Sequence, residues 1–201
     1  MSKKLHQTPS QTVGPYFAYG LAPSQYGYPF LRSLFTPVVA QPQAAGEHIR
    51  LVGQVYDGAG KTINDALVEI HQRNARGELM QSPVQVKAEG FTGFGRCGTG
   101  TLAGDCYEFF TVKPGAIDPA QAPFIDVCVT ARGLLLHVFS RIYFEDEAAA
   151  NAKDKAFMSV PADRRHTLVA QRQQTPAGIQ YRFDIRMQDS ARGRETVFFD
   201  L

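Results

Sequence analysis

From Ile49 onward the chain reads as a series of short strand-like runs separated by turn residues. Ile49 to Tyr56 is largely apolar and stops at Asp57-Gly58-Ala59-Gly60, residues that bend the backbone readily. Ala66, Val68 and Ile70 then alternate with Leu67, Glu69 and His71. Tyr107 to Val112 is aromatic and β-branched and is closed by Pro114-Gly115; Phe124 to Thr130 and Leu135 to Phe144 follow. Near the end, Tyr181, Phe183, Ile185 and Met187 alternate with Arg182, Asp184, Arg186 and Gln188. Side chains of a strand point to its two faces in turn, so a period of two describes one buried and one wetted face. There is no βαβ alternation and no repeat. The expected fold is all-β, an antiparallel β-sandwich.

Two regions depart from this pattern. Residues 1–48 are expected to form an extended N-terminal arm, packed on the chain's own core and on a partner, with the sandwich domain spanning 49–201. The arm holds Pro9, Pro15, Pro23, Pro29, Pro37 and Pro42 among the aromatics Tyr16, Phe17, Tyr19, Tyr26, Tyr28, Phe30 and Phe35. The prolines exclude one continuous helix, and so aromatic a segment is no solvated linker. One helix is expected over Glu147–Phe157, with Asp146 as its cap, and a short second one from Pro161.

A chain of 201 residues can bury a substantial core, and its formal net charge of +2 gives no case for a nucleic-acid face. No apolar run approaches the roughly 20 residues that cross a bilayer, and Lys3-Lys4 has no apolar stretch behind it, so the expected compartment is the cytoplasm. Cys97, Cys106 and Cys128 lack CxxC spacing and read as buried thiols rather than a disulfide or zinc framework. GxSxG, Walker and HExxH motifs are absent. The glycine-rich Gly98–Gly104 reads as a hairpin loop, and Glu145-Asp146-Glu147 as a helix start rather than a catalytic carboxylate pair.

Several segments, in order, carry a resemblance. They are Gln11-Thr12-Val13-Gly14-Pro15-Tyr16, Gly53–Asp57, Val68–Ala75, Gly93–Cys97, Thr111–Gly115, Ala131-Arg132-Gly133, Phe144 with the residues after it, and Phe198-Phe199-Asp200. Their order and spacing resemble the intradiol ring-cleaving dioxygenases, and within them the kind of chain that holds no metal. The resemblance implies a sandwich core and a ferric ion held, in the iron-bearing chains, by two tyrosines and a pair of histidines one residue apart. Phenolate and imidazole donors suit ferric iron. The matching positions here are Leu79, Ile117, His137 and Phe139. Three of these are hydrocarbon.

The resemblance therefore implies a subunit with no metal ligands and no catalytic residues of its own. A homologous beta chain would carry Fe(III), and the pair would cleave a dihydroxybenzoate with O2. Thr12, Gly14, Pro15, Tyr16 and Arg132 are the implied substrate-binding residues of this chain. Glycine lets backbone approach closely and proline fixes the approach angle. The planar guanidinium of Arg132 suits a carboxylate. Arg141 and Arg96 are further candidates, with Arg96 read as a brace of the core. The alternative reading is a non-enzymatic β-sandwich module that binds a ligand or a protein.

Overall fold

The computed structural model describes residues 12, 14, 16–28, 32–189 and 192–200. The strands are β1 (His48–Tyr56), β2 (Leu67–Gln72), β3 (Phe94–Gly98), β4 (Cys106–Val112), β5 (Phe124–Thr130), β6 (Val138–Phe144), β7 (Val169–Thr175), β8 (Gly178–Arg182) and β9 (Ile185–Arg186). They join in the order β3-β2-β5-β6-β7-β8-β1-β4, with β9 beside β1. The protein is mostly β, but its sheet is mixed. β1–β4, β2–β3, β2–β5, β5–β6 and β7–β8 pair antiparallel. The β1–β8, β1–β9 and β6–β7 contacts are parallel. Parallel pairing needs a long crossover. The helical stretch after Phe144 provides one, returning the chain at Val169.

Period-two alternation builds the core. In β5, Ile125, Val127 and Val129 are buried, while Phe124, Asp126, Cys128 and Thr130 share the other, half-open face. Leu51, Val55, Tyr107 and Phe109 from β1 and β4 join Ile70, Val127 and Ile142 from β2, β5 and β6 in one apolar cluster. Both ends of the sheet order thus contribute to a common interior. Gly53 is required where that interior is tightest. A Cβ there would sit 1.7 Å from the Phe183 carbonyl oxygen. That oxygen accepts the Tyr107 hydroxyl, tying β4 to the segment between β8 and β9.

Helices differ from expectation in place and length. α1 (Tyr16–Leu21) is a short helix inside the segment expected to be extended. It lies between Pro15 and Pro23, which leave room for about one and a half turns. Its Ala18, with Ala22 just beyond, packs on Leu67. Beyond it, the Tyr26 hydroxyl donates to the Thr99 carbonyl at 2.8 Å and Gln25 binds Gly98 through both ends of its amide. α2 (Pro83–Glu89) was not expected; Ser82 caps it and Gly90, at φ 63°, ends it.

The helix expected over 147–157 is two, α3 (Ala148–Asn151) and α4 (Lys155–Ser159), and Asp154, not Asp146, caps the second. Asp146 instead accepts the Tyr181 hydroxyl and binds Lys113, which also reaches Glu147. These bonds hold the Lys113 ammonium above its ordinary pKa, although burial alone would lower it. Leu135–His137 lie outside β6, and no helix starts at Pro161; a short 3-10 turn follows at Arg165–Leu168. Gly98–Gly104 is no hairpin loop: β3 pairs with β2 and β4 with β1. Of the three thiols only Cys97 is fully buried.

Candidate functional site

One buried asparagine brings two distant segments together. The Asn74 side chain accepts the amides of Arg76 and Glu78, shaping the turn that delivers Leu79. Its carbonyl accepts the Gly115 amide at 2.9 Å, which docks the turn leading to Ile117. Leu79 and Ile117 consequently line one cavity of about 230 Å³. The other walls come from β2, β5 and β6: Arg73 just past β2, Phe124 and Asp126 on the half-open face of β5, and Arg141 on β6.

The sheet register sets the charges. Asp126 lies opposite His71 on one side and Arg141 on the other. Arg141 donates from Nε to Asp126 at 3.1 Å and lies over the Phe124 ring, 4.2 Å from its centroid. Burial raises the Asp126 carboxyl above its ordinary pKa, against the opposing pull of Arg141, His71 and Arg73.

A second locus is the turn after β5. Ala131-Arg132-Gly133-Leu134 closes with a Leu134 amide to Ala131 carbonyl bond, and Gly133 has φ 86°. A type II turn needs a positive φ at its third residue and leaves its second free to point outward. That second residue is Arg132, ion-paired through Nε to Asp65 and still 61% exposed. Thr12 sits on the same turn. Its hydroxyl accepts the Gly133 amide and donates to the Leu134 carbonyl, both at 3.0 Å. Two implied substrate residues, Thr12 and Arg132, are therefore neighbours. Gly14 is exposed, and its carbonyl accepts the Phe17 amide at the start of α1. Pro15 and the Tyr16 side chain lie outside the described residues.

Between these loci runs a groove of about 450 Å³, walled by Phe17 and Leu21 of α1 and by residues of β2, β3 and β5. Arg96 crosses it, bound to Glu69 at 2.6 Å and near the rings of Phe35 and Phe94, and so acts as a brace. Cys128 lines the same groove, its thiol pushed up to about 11 by burial. His137 and Phe139 line this groove too, their rings 4.6 Å apart, and do not reach the cavity of Leu79 and Ile117.

That separation corrects the matching of positions. Ligands of one ion must face one space. Leu79 and Ile117 share theirs with Phe124 and Asp126, one residue apart on one face of β5. The sequence match fell instead on His137, just ahead of β6, and Phe139 on β6, which face the groove. The signal for this shared face was present in the sequence, because alternation in 124–130 puts Phe124 and Asp126 side by side. Sequence reading also missed Asn74 as the organiser of the site.

These residues do not fit the iron implied by the resemblance. Leu79, Ile117 and Phe124 have no donor atoms, and Asp126 is already bound to Arg141. Among the described residues no group of three or more His, Cys, Asp or Glu is placed to hold a metal ion. Among them, too, no helix is long and apolar enough to cross a membrane.

Over 198 residues the chain is 56% identical to the protocatechuate 3,4-dioxygenase alpha chain of Burkholderia cepacia, covering 98% of each. It belongs to the protocatechuate 3,4-dioxygenase alpha-chain family. The alpha chain of Pseudomonas putida is 42% identical over 201 residues, 98% of this chain and 97% of that one. The beta chain of the Burkholderia cepacia enzyme matches at 37% identity over 91 residues, 44% of this chain and 38% of that one. Two solved structures share the fold. An intradiol ring-cleavage dioxygenase from Tetranychus urticae has TM-score 0.60 at 15% identity, over 77% of this chain and 87% of that one. A dioxygenase domain from Streptomyces sp. SirexAA-E has TM-score 0.59 at 21% identity, over 75% and 85%. No family model matches the chain.

Proposed function

We propose that this alpha-family chain is the subunit without iron in a protocatechuate 3,4-dioxygenase. A homologous beta chain holds Fe(III), which supplies the oxidative chemistry. The assembled enzyme inserts both atoms of O2 into 3,4-dihydroxybenzoate and opens the ring between its hydroxylated carbons, giving 3-carboxy-cis,cis-muconate. The observation that carries this reading is the hydrocarbon lining at Leu79, Ile117 and Phe124, in a chain that matches alpha chains over nearly its whole length.

This chain's own contribution is to bind, orient and exclude water. Arg132 presents a guanidinium to the substrate carboxylate, held from below by Asp65. Thr12 fixes the Arg132 turn, and Gly14, Pro15 and Tyr16 are assigned to substrate binding from the resemblance in sequence. A water-poor wall strengthens the charge contact, because attraction grows as the local dielectric falls. Residues 1–48 act as the arm that reaches both this core and the partner. The two ends of the sheet order, which share one core, are read as the layers of a sandwich. The compartment is the cytoplasm.

Producing the chain with and without a beta chain tests the proposal. Alone it should be colourless and inactive, and together the pair should be red-brown and cleave protocatechuate. Iron-dependent activity from this chain alone would overturn it.

A further inference from the structure

The cavity of Leu79 and Ile117 has lost the donors for a metal but is not filled by side chains. The geometry points to a second ligand site there, wholly within this chain, for a monocyclic aromatic carboxylate held by Arg141 and Arg73 and packed on Leu79, Ile117 and Phe124.

Size comes first. An apolar cavity of about 150 Å³ accepts benzene, and this one measures about 230 Å³. One substituted ring fits, with space for a small polar group. The lining is divided in the way a small-molecule site requires, with hydrocarbon for the body of the ligand and a few polar groups to orient it. Leu79, Ile117 and Phe124 form most of the apolar part, and Arg73, Asp126 and Arg141, with His71, Gln72 and Gln121, the polar part.

Charge selects an anion. Two guanidiniums face one carboxylate, so the ionised lining carries one excess positive charge, while His71 opposite Asp126 contributes none when neutral. A cation would meet repulsion here, and a neutral ring would leave that excess uncompensated. A carboxylate balances it and accepts from a planar fork. Nothing at the site can turn the guest over. It is a binding site, distinct from the Arg132 edge and independent of whether the assembled enzyme acts as proposed above.

The test is calorimetric titration of benzoate into the full chain in its assembled state near neutral pH, with benzamide as the neutral isostere. Benzoate lacks vicinal hydroxyls and cannot chelate iron as a catecholate. Ile117→Trp fills the cavity from a position already 41% exposed, so the fold tolerates it. Arg141→Met removes the charge. We expect benzoate to bind and benzamide not to, with each variant weakening benzoate by at least about tenfold, or 1.4 kcal/mol. Turnover of the assembled enzyme should be untouched by Ile117→Trp, which separates this site from the proposed active site. No benzoate binding, equal binding of benzamide, or benzoate binding that survives both substitutions would overturn the inference. The last outcome would place the guest on the companion chain.

Discussion

Arg141 and Arg132 each pair through Nε with one aspartate, but the shelter falls on opposite partners. In the cavity the arginine side chain is 21% exposed and Asp126 34%. On the rim the arginine is 61% exposed and Asp65 only 10%. The cavity pair turns its cation inward, toward a space bounded by the chain itself. The rim pair buries the anchor and displays the cation. The same two functional groups therefore make a closed site in one place and an offered contact in the other. What decides is the local backbone: a strand register fixes Arg141, and the second position of a turn fixes Arg132.

The largest effect should come from the rim. In the assembled enzyme, Arg132→Ala should lower kcat/KM for protocatechuate by tens- to thousands-fold, the scale of about 2–5 kcal/mol for an unpaired charge contact. Fold stability should also fall, by about 1–3 kcal/mol, because Asp65, only 10% exposed, loses its cation. Steady-state kinetics beside thermal unfolding reads both. A large drop in unfolding temperature with unchanged kinetics would reverse the contrast.

The cavity pair should show the opposite balance. Asp126→Ala leaves Arg141 without its anion and should cost about 1–2 kcal/mol. It should appear as a lower urea midpoint at unchanged slope, with turnover close to wild type.

A third variant asks whether the segment leading from the rim is anchored by its own bonds. Tyr26→Phe removes the bond to the Thr99 carbonyl, a loss of about 1 kcal/mol. Burial, chiefly, pushes the Tyr26 hydroxyl up to about 12 from an ordinary 10.0. A raised folded pKa means that the stabilisation is complete below the unfolded value and disappears as pH climbs through the folded one. Unfolding titrations between those pH values should therefore show a shallower decline for the variant.

The smallest effect on folding should come at the tip beyond the Arg132 turn. Leu136 is 76% exposed, so Leu136→Ser should move stability by less than about 0.5 kcal/mol. If the tip meets a companion chain, sedimentation should show looser assembly.

The strands rich in apolar and β-branched residues were legible. β1, β4 and β5 stand where alternation and turn residues place them, because burial writes itself into composition. β7 was not. Val169-Ala170-Gln171-Arg172-Gln173-Gln174-Thr175 has exposed or half-exposed positions almost throughout, so no apolar face marks it. α2 hides for the related reason that none of its residues is buried; only Ser82-Pro83 and Gly90 announced it. Parallel pairing beside β6 and β1 depends on where a crossover returns, which no local pattern records. At the site, Arg132 and Thr12 were readable as residues, but their meeting on one turn was not. Their separation of 120 positions is closed only by tertiary hydrogen bonds. The position pair on β5 was obscured by a histidine thirteen residues after Phe124, just ahead of β6, with the same two-residue spacing to a neighbour.

Leu79, Ile117 and Phe124 stand apart from the main apolar cluster; Asn74 holds the segments of the first two by backbone and turn bonds and strand pairing holds that of the third, bonds that ignore what those three side chains are. The scaffold is thereby indifferent to this apolar lining. A duplicated copy of such a chain can trade one chemistry for another at those places without renegotiating how it folds, and two descendants can divide a single task between them.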